Sequence, residues 1–253
     1  MKSPGNLFLV PAPLDFGCAV QVPLRDVLPE ATLVRASQLT HWICENAKTA
    51  RAYLKRVNEL YPLAKPLQEM QIAELPREVH KKGDHNGTFD ARPLLAAAVA
   101  GNHIGLLSEA GMPAVADPGS SVARAAHDLG LGVVPLVGPV SPLLALAASG
   151  LNGQNFAFVG YLPQDPGARV KRIRELESLA LKGGQSQMFI ETPYRNTSLW
   201  QALLPALEPN TRLAVSSGLT WPQALNRSLP VKAWKQQPPP LDNDTPAVFL
   251  IGR

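Results

Sequence analysis

A chain of 253 residues, 45% of them hydrophobic, is long enough for one large or two small globular domains, each with a buried core. Its formal net charge of +4 permits an RNA or another anionic partner without requiring one. The 25 prolines are scattered along the chain, which excludes a proline-rich disordered tract and marks helix starts and loop corners instead.

In chain order, Asn6–Val10 reads as a buried strand. Thr40–Val57 carries helical spacing, with Trp42, Ile43, Ala47, Ala50, Tyr53, Leu54 and Val57 able to share one face. Residues 62–90 read as irregular and polar, and Ala91–Ala100 as a helix rich in alanine. His103–Leu107 is a predicted strand, Gly119–Leu129 a helix, Gly132–Val137 a strand and Pro142–Ser149 a short helix. Phe156–Tyr161 is a strand, Arg169–Leu181 a basic amphipathic helix, Gln187–Glu191 a strand and Asn196–Leu204 a helix. Leu213–Ser216 and Ala247–Ile251 are late strands. Alternation of strands and helices predicts an α/β class.

Three strands are followed by a capping residue and a proline: Asp117-Pro118, Ser141-Pro142 and Thr192-Pro193. Each pair can start a helix, the first residue capping free N–H groups and the proline opening the first turn. Helix N-termini at strand ends suit an anionic group as well as plain capping. Cys18 and Cys44 lack metal-ligand spacing, so no metal is expected and both read as free thiols of a reducing cytoplasm. The opening MKSPGNLFLVPAPL does not fit a signal peptide, and no apolar run is long enough for a membrane span.

The densest special sequence is Leu106–Gly119, LLSEAGMPAVADPG, followed by PLVGPVSPLLALAASG over Pro135–Gly150. Gly111 permits positive φ and close backbone approach. These stretches, with FVGYLP and FIETPYR after them, are colinear with a known pattern from about Leu106 to Arg195. In that order they resemble the tetrapyrrole methylase superfamily, and within it the small-subunit ribosomal RNA methyltransferase I group. Weaker likeness reaches Asn6–Pro13, Cys44-Glu45-Asn46, Asp84-His85-Asn86 and Pro246–Ile251. The resemblance implies a fold of two α/β domains, 1–138 and 139–253, with the cofactor cleft between them, and a homodimer. It also implies S-adenosylmethionine as cofactor, held by Glu109, Ala110, Gly111, Met112 and Pro113 and by Gly138, Pro139, Val140 and Ser141. Phe189, Ile190, Ala247 and Val248 would hold the adenosine.

A hydroxyl acceptor benefits from a general base, and Glu191, Glu45 and His85 are the candidates. The chain departs from the family pattern where TPIGNL becomes Pro11–Phe16, where EDTRHT becomes Glu45–Ala50, and where ARELT becomes Ser216–Thr220. The cofactor segments are kept better than these. The first expectation is therefore a methyltransferase acting on RNA, the ribose 2′-hydroxyl of ribosomal RNA. A tetrapyrrole or other small acceptor, a non-catalytic RNA-binding relative, and an unrelated α/β enzyme for a phosphorylated ligand are the alternatives. Arg169, Lys171, Arg172 and Arg174 are candidate phosphate contacts.

Overall fold

The computed structural model describes residues 3–15, 18, 21–82, 84 and 89–253. The chain forms two compact units, Met1–Val140 and Ser141–Arg253. The first contains β1 (Leu7–Val10), α1 (Leu24–Val27), α2 (Glu30–Gln38), β2 (His41–Cys44), α3 (Ala47–Asn58), β3 (Gln71–Glu74), α4 (Arg77–Lys82), α5 (Ala96–Val99), β4 (Ile104–Leu107), α6 (Ser120–Asp128) and β5 (Val133–Pro135). Its strands form one sheet in the order β3-β2-β4-β1-β5, every pairing parallel.

A parallel sheet covered on both sides needs strands that are largely apolar, and LFLV, IGLL and the last three residues of HWIC supply them. Successive side chains alternate between the faces. Phe8, Val10, Trp42, Cys44 and Leu107 pack with Leu33 and Ala36 of α2 and Ala50, Tyr53 and Leu54 of α3. Leu7, Ile43, Ile104 and Leu106 turn the other way, onto Val79, Ala98, Val122 and Ala126 of α4, α5 and α6. Gly105 gives Trp42 its room: a Cβ there would lie 2.6 Å from the indole ring.

The second unit contains α7 (Ser141–Ser149), β6 (Phe156–Tyr161), α8 (Pro166–Gly183), β7 (Ser186–Ile190), α9 (Asn196–Ala206), β8 (Arg212–Ser217), β9 (Leu225–Pro230), α10 (Val231–Trp234) and β10 (Ala247–Gly252). Its sheet is mixed, in the order β6-β7-β10-β8-β9. Only β6 and β7 pair in parallel; β10 runs antiparallel to β7 and β8, and β8 to β9. One face packs Phe189, Val215 and Phe249 against α8 and α9. The other packs Met188, Ala214, Val248 and Leu250 against Ala145 and Leu146 of α7.

The predicted α/β class is the observed one, with two corrections inside it. Thr40–Val57 is not one helix: His41–Cys44 is a strand, and α3 begins only after Asn46, whose side chain accepts the N–H of Lys48 at 2.9 Å. A short strand buried on both faces places apolar residues consecutively, so its pattern fuses with that of the following helix. The stretch expected to be irregular, 62–90, contains β3 and α4. Edge strand β3 is QIAE, too short and polar to carry a strand signal.

Candidate active site

In the first sheet the chain leaves β1 for α1 and α2 on one face, and leaves the adjacent β4 for α6 on the other. Loops diverging to opposite faces from neighbouring parallel strands open a crevice at their carboxyl ends, where α/β sheets take ligands. Across this crevice the loops are pinned by two backbone bonds, Ala12 N–H to Gly111 O at 2.9 Å and Gly111 N–H to Ala12 O at 3.0 Å. Ser108 braces the turn from within, its hydroxyl donating to Gly111 O at 3.1 Å.

Gly111 has φ +75°, and a Cβ there would lie 3.1 Å from Leu14 Cδ2 and 3.3 Å from Pro139 O. At Gly138 a Cβ would lie 2.3 Å from the Pro11 ring. The predicted segments Glu109–Pro113 and Gly138–Val140 therefore meet at the same strand ends as the β1 loop. Beyond them, Ala114 and Ala116 hold φ of +66° and +67°. Such strain in residues with a Cβ gathers at functional turns.

Glu45 joins this group: its Oε1 accepts the N–H of Glu109 at 3.2 Å. Thr49 donates to Glu109 Oε1 at 3.4 Å. Asp117 is the titratable group that sequence reasoning used only as a cap. Burial, then the charges of Glu45 and Glu109, push its carboxyl up to about 7. Asp117 does not cap α6. That helix has Gly119 at its N-cap, and Asp84 supplies the acceptors from a distant segment. Asp84 takes the N–H groups of Gly119 and Ser121 at 2.9 and 2.8 Å and the hydroxyls of Ser120 and Ser121 at 2.8 and 2.5 Å. Burial pushes the Asp84 carboxyl up, but the bonds from Ser121, Ser120 and Gly119 outweigh it and hold it below the usual range. His85 lies outside the described residues.

A cavity of about 160 Å3 opens beside the crevice. Ala12, Pro13 and Asp15 wall it from the β1 loop, Leu107, Ser108 and Glu109 from β4, and Thr49, Ala52, Tyr53 and Arg56 from one face of α3. These four lie at spacings of three and four along one side of α3; only Tyr53 among them belongs to the face expected from the sequence. Arg56 is tied to Asp15 at 3.1 and 3.2 Å and to the carbonyl of Val22 at 2.6 Å. Of this lining, Ala12, Pro13, Asp15 and Thr49 fall in the segments Pro11–Phe16 and Glu45–Ala50, in which the chain departs from the family pattern.

In the second unit, Ser141 opens α7. Glu191 is buried, and its Oε1 accepts from Arg195 at 2.7 and 3.0 Å and from the Thr192 N–H at 2.8 Å. Its Oε2 is also buried and has no partner among the described residues. Thr192, expected as a cap, instead donates its hydroxyl to Glu191 Oε1 at 3.2 Å. Ile190 and Val248 pair across the sheet, and Ala247 lies next to Val248 on β10. The Phe189 side chain is taken up by the core, stacked on Phe249 at 6.0 Å.

The basic helix α8 is smaller as a charged face than its sequence suggests. Arg169 is buried, donating to the carbonyls of Pro163 and Gln164 at 2.8 and 2.9 Å, and Arg172 pairs with Glu175 at 3.3 Å. Lys171 and Arg174 remain exposed.

The model of the Tetrapyrrole (Corrin/Porphyrin) Methylases matches residues 22–229. A ribosomal RNA small subunit methyltransferase I of Mesorhizobium japonicum is 29% identical over 85% of this chain, and the Vibrio cholerae protein of that name 33% identical over 54%. The chain spans 63% and 46% of their lengths. Among solved structures, a uroporphyrin III C-methyltransferase from Thermus thermophilus shares the fold at 16% identity, with a TM-score of 0.55 and 98% of each chain covered. The methyltransferase CobJ shares it at 18% identity and a TM-score of 0.55, covering 98% of this chain and 94% of that one. With a family model spanning most of its length and that family's fold in both units, the chain belongs to the tetrapyrrole (corrin/porphyrin) methylases.

Proposed function

We propose that the chain transfers a methyl group from S-adenosylmethionine to RNA, with a ribose 2′-hydroxyl of small-subunit ribosomal RNA as the acceptor. Family membership and the likeness to ribosomal RNA small subunit methyltransferases I support the reaction and the acceptor. The observation that carries the reading is the crevice at the ends of β1 and β4, where the two loops are pinned backbone to backbone at a left-handed glycine. Such a turn leaves no side chain between backbone and ligand.

The residues fit the cofactor. In the first unit Glu109–Pro113 and Gly138–Val140 present backbone at glycine turns. In the second, the unpartnered Oε2 of Glu191 is a buried acceptor suited to an N–H or O–H of a ligand, near the backbone of Ile190, Ala247 and Val248. Ser141 belongs to this set as the start of α7. When bound, the sulfonium supplies an already activated methyl group, so the protein's part is chiefly orientation.

Removing the acceptor's proton falls to a carboxylate. Asp117, pushed up to about 7, is matched to that task near neutral pH. Glu45 and Glu109 sustain its high affinity for the proton, and this assignment takes the place of Glu45 as base. Glu191 is occupied with Arg195 through Oε1, which suits a group that positions Arg195. Among the described residues no helix is long and apolar enough to cross a membrane, and a cytoplasmic homodimer is part of the same reading.

The test is transfer of tritiated methyl from S-adenosylmethionine to purified small ribosomal subunits and to free ribosomal RNA. Label in RNA as an alkali-stable, 2′-O-methylated dinucleotide is the expected result. Label on protein alone, or on small molecules of a cell extract but not on RNA, would refute the acceptor.

A further inference from the structure

We propose that Tyr161 and Tyr194, at the carboxyl ends of the adjacent parallel strands β6 and β7, form a stacking surface for unpaired bases of the acceptor RNA. This rests on the reading of RNA as acceptor.

Both tyrosines are open to solvent, Tyr161 at 56% and Tyr194 at 67%. They lie at one end of the sheet. Tyr161 is the last residue of β6 and pairs in register with Ile190, the last of β7, and Tyr194 follows Ile190 by four residues. Their Cα atoms are therefore no more than about 20 Å apart. Each ring is presented by a local device. Between Phe158 and Tyr161 the register against β7 shifts, at Gly160 with φ +68°. Such a bulge bends the strand and re-aims the side chain that follows. Tyr194 stands in the turn after β7, with the guanidinium of Arg195 over its ring at 5.3 Å. Arg195 is itself held by the buried Glu191 through Nε and Nη2 at 3.0 and 2.7 Å. The Tyr194 ring is thus backed by a fixed cation and otherwise largely open.

A ring held this way suits a flat apolar partner, and charge selects which. The second unit carries 11 lysines and arginines against seven aspartates and glutamates, and the first 13 against 13, so the whole net charge of +4 lies in the unit that bears the tyrosines. Of its carboxylates, Glu177 and Glu191 are buried, Glu175 pairs with Arg172, and Asp165 caps α8. Lys171 and Arg174 stay exposed on α8. The first turns of α8 sit at the same end of the sheet: Arg169 ties them to the carbonyls of Pro163 and Gln164, just after Tyr161, and to Ser198 of α9 at 3.4 Å. A single strand of RNA is a polyanion whose every base offers a π-face, so it meets both the rings and the charge without any reading of sequence. A duplex, with its bases stacked on one another, meets only the charge.

The test is binding of the full chain to a short oligouridine carrying one 2-aminopurine, followed by anisotropy and by quenching of the modified base, beside an RNA duplex. Quenching is expected in the wild type. Tyr194→Leu and Tyr161→Leu should each weaken single-strand binding roughly 5- to 100-fold, with the salt slope unchanged because no phosphate contact is lost. Tyr194→Phe, which keeps the ring, should bind like wild type, duplex binding should not change, and every variant should melt close to wild type because the side chains are exposed. Wild-type affinity in both leucine variants, equal loss in Tyr194→Phe and Tyr194→Leu, or equal loss for duplex and single strand would each overturn the proposal. Leucine variants that keep RNA affinity but sediment at a lower oligomeric mass would assign the tyrosines to a protein contact, and overturn it too. Methyl transfer to small ribosomal subunits, run in parallel, reports the acceptor separately. A wild type that methylates RNA while its leucine variants bind RNA normally refutes the stacking surface alone; a wild type that neither binds nor methylates RNA refutes both.

Discussion

Replacing Gly111 with alanine separates backbone strain from ligand contact, because a second glycine serves as control. Gly111 has φ +75° and Gly130 φ +67°. A residue with a Cβ in that region costs about 1–3 kcal/mol. At Gly130 nothing lies within 4 Å of the added Cβ, so strain is the whole cost. At Gly111 the added carbon meets Leu14 Cδ2 at 3.1 Å and Pro139 O at 3.3 Å. The leucine methyl is a side-chain end that rotates away. The carbonyl contact is a tenth of an ångström or so inside ordinary packing, worth only a few tenths of a kcal/mol at this depth of overlap. Gly111→Ala and Gly130→Ala should therefore lose similar stability, roughly 1–3 kcal/mol each, in urea melts followed by circular dichroism. Only Gly111→Ala should weaken S-adenosylhomocysteine binding by calorimetry. A Gly111→Ala protein as stable as wild type would show that the turn is not left-handed. One destabilised like Gly130→Ala yet binding like wild type would remove Gly111 from the cofactor contacts.

Asp117→Asn tests the carboxylate cluster by pH. A carboxyl raised from 3.8 to about 7 in the folded state binds its proton more tightly folded than unfolded. It therefore stabilises the protein fully below the unfolded value and loses that contribution as pH rises towards 7. The shift corresponds to about 4 kcal/mol at most, and partial exposure reduces it to roughly 1–2. Asp117→Asn should be more stable than wild type at pH 8, with an advantage that is absent near pH 4, and methyl transfer should fall; a pH-independent difference would contradict the cluster. Asp84→Ala, which strips four bonds from the start of α6, should cost about 1–3 kcal/mol in denaturant melts at neutral pH, and an unchanged midpoint would refute its capping role. Charge reversal of Lys171 and Arg174 should lower the slope of log binding against log salt for RNA by on the order of one to two, measured by filter binding; an unchanged slope would place the RNA elsewhere. Reversal of buried Arg169 should instead destabilise the second unit.

The wholly apolar strands and the glycine turns were legible in the sequence because their signals are local. LFLV and IGLL announce buried parallel strands, and Gly111 sits where a turn must reverse tightly. His41–Cys44 was lost because three buried residues, Trp42–Cys44, lie just ahead of an amphipathic helix. Asp117 was misread as a cap for a reason of distance: the acceptor that serves α6, Asp84, lies 35 residues from Gly119, beyond any local motif. Tyr53 was read as part of a helical face, and α3 does bury it. The Asp15–Arg56 pair, 41 residues apart, exists only once the β1 loop and α3 are brought together. The resemblance named the cofactor; no spacing or composition in the chain would have done so.

The central claim is that this chain holds S-adenosylmethionine at the glycine turns of its strand ends, and calorimetric titration with S-adenosylhomocysteine tests it most directly. The predicted result is one molecule bound per chain at micromolar concentration, with a matching rise in melting temperature because the ligand selects the native state. A folded protein giving neither heat nor thermal shift at millimolar ligand would contradict the claim.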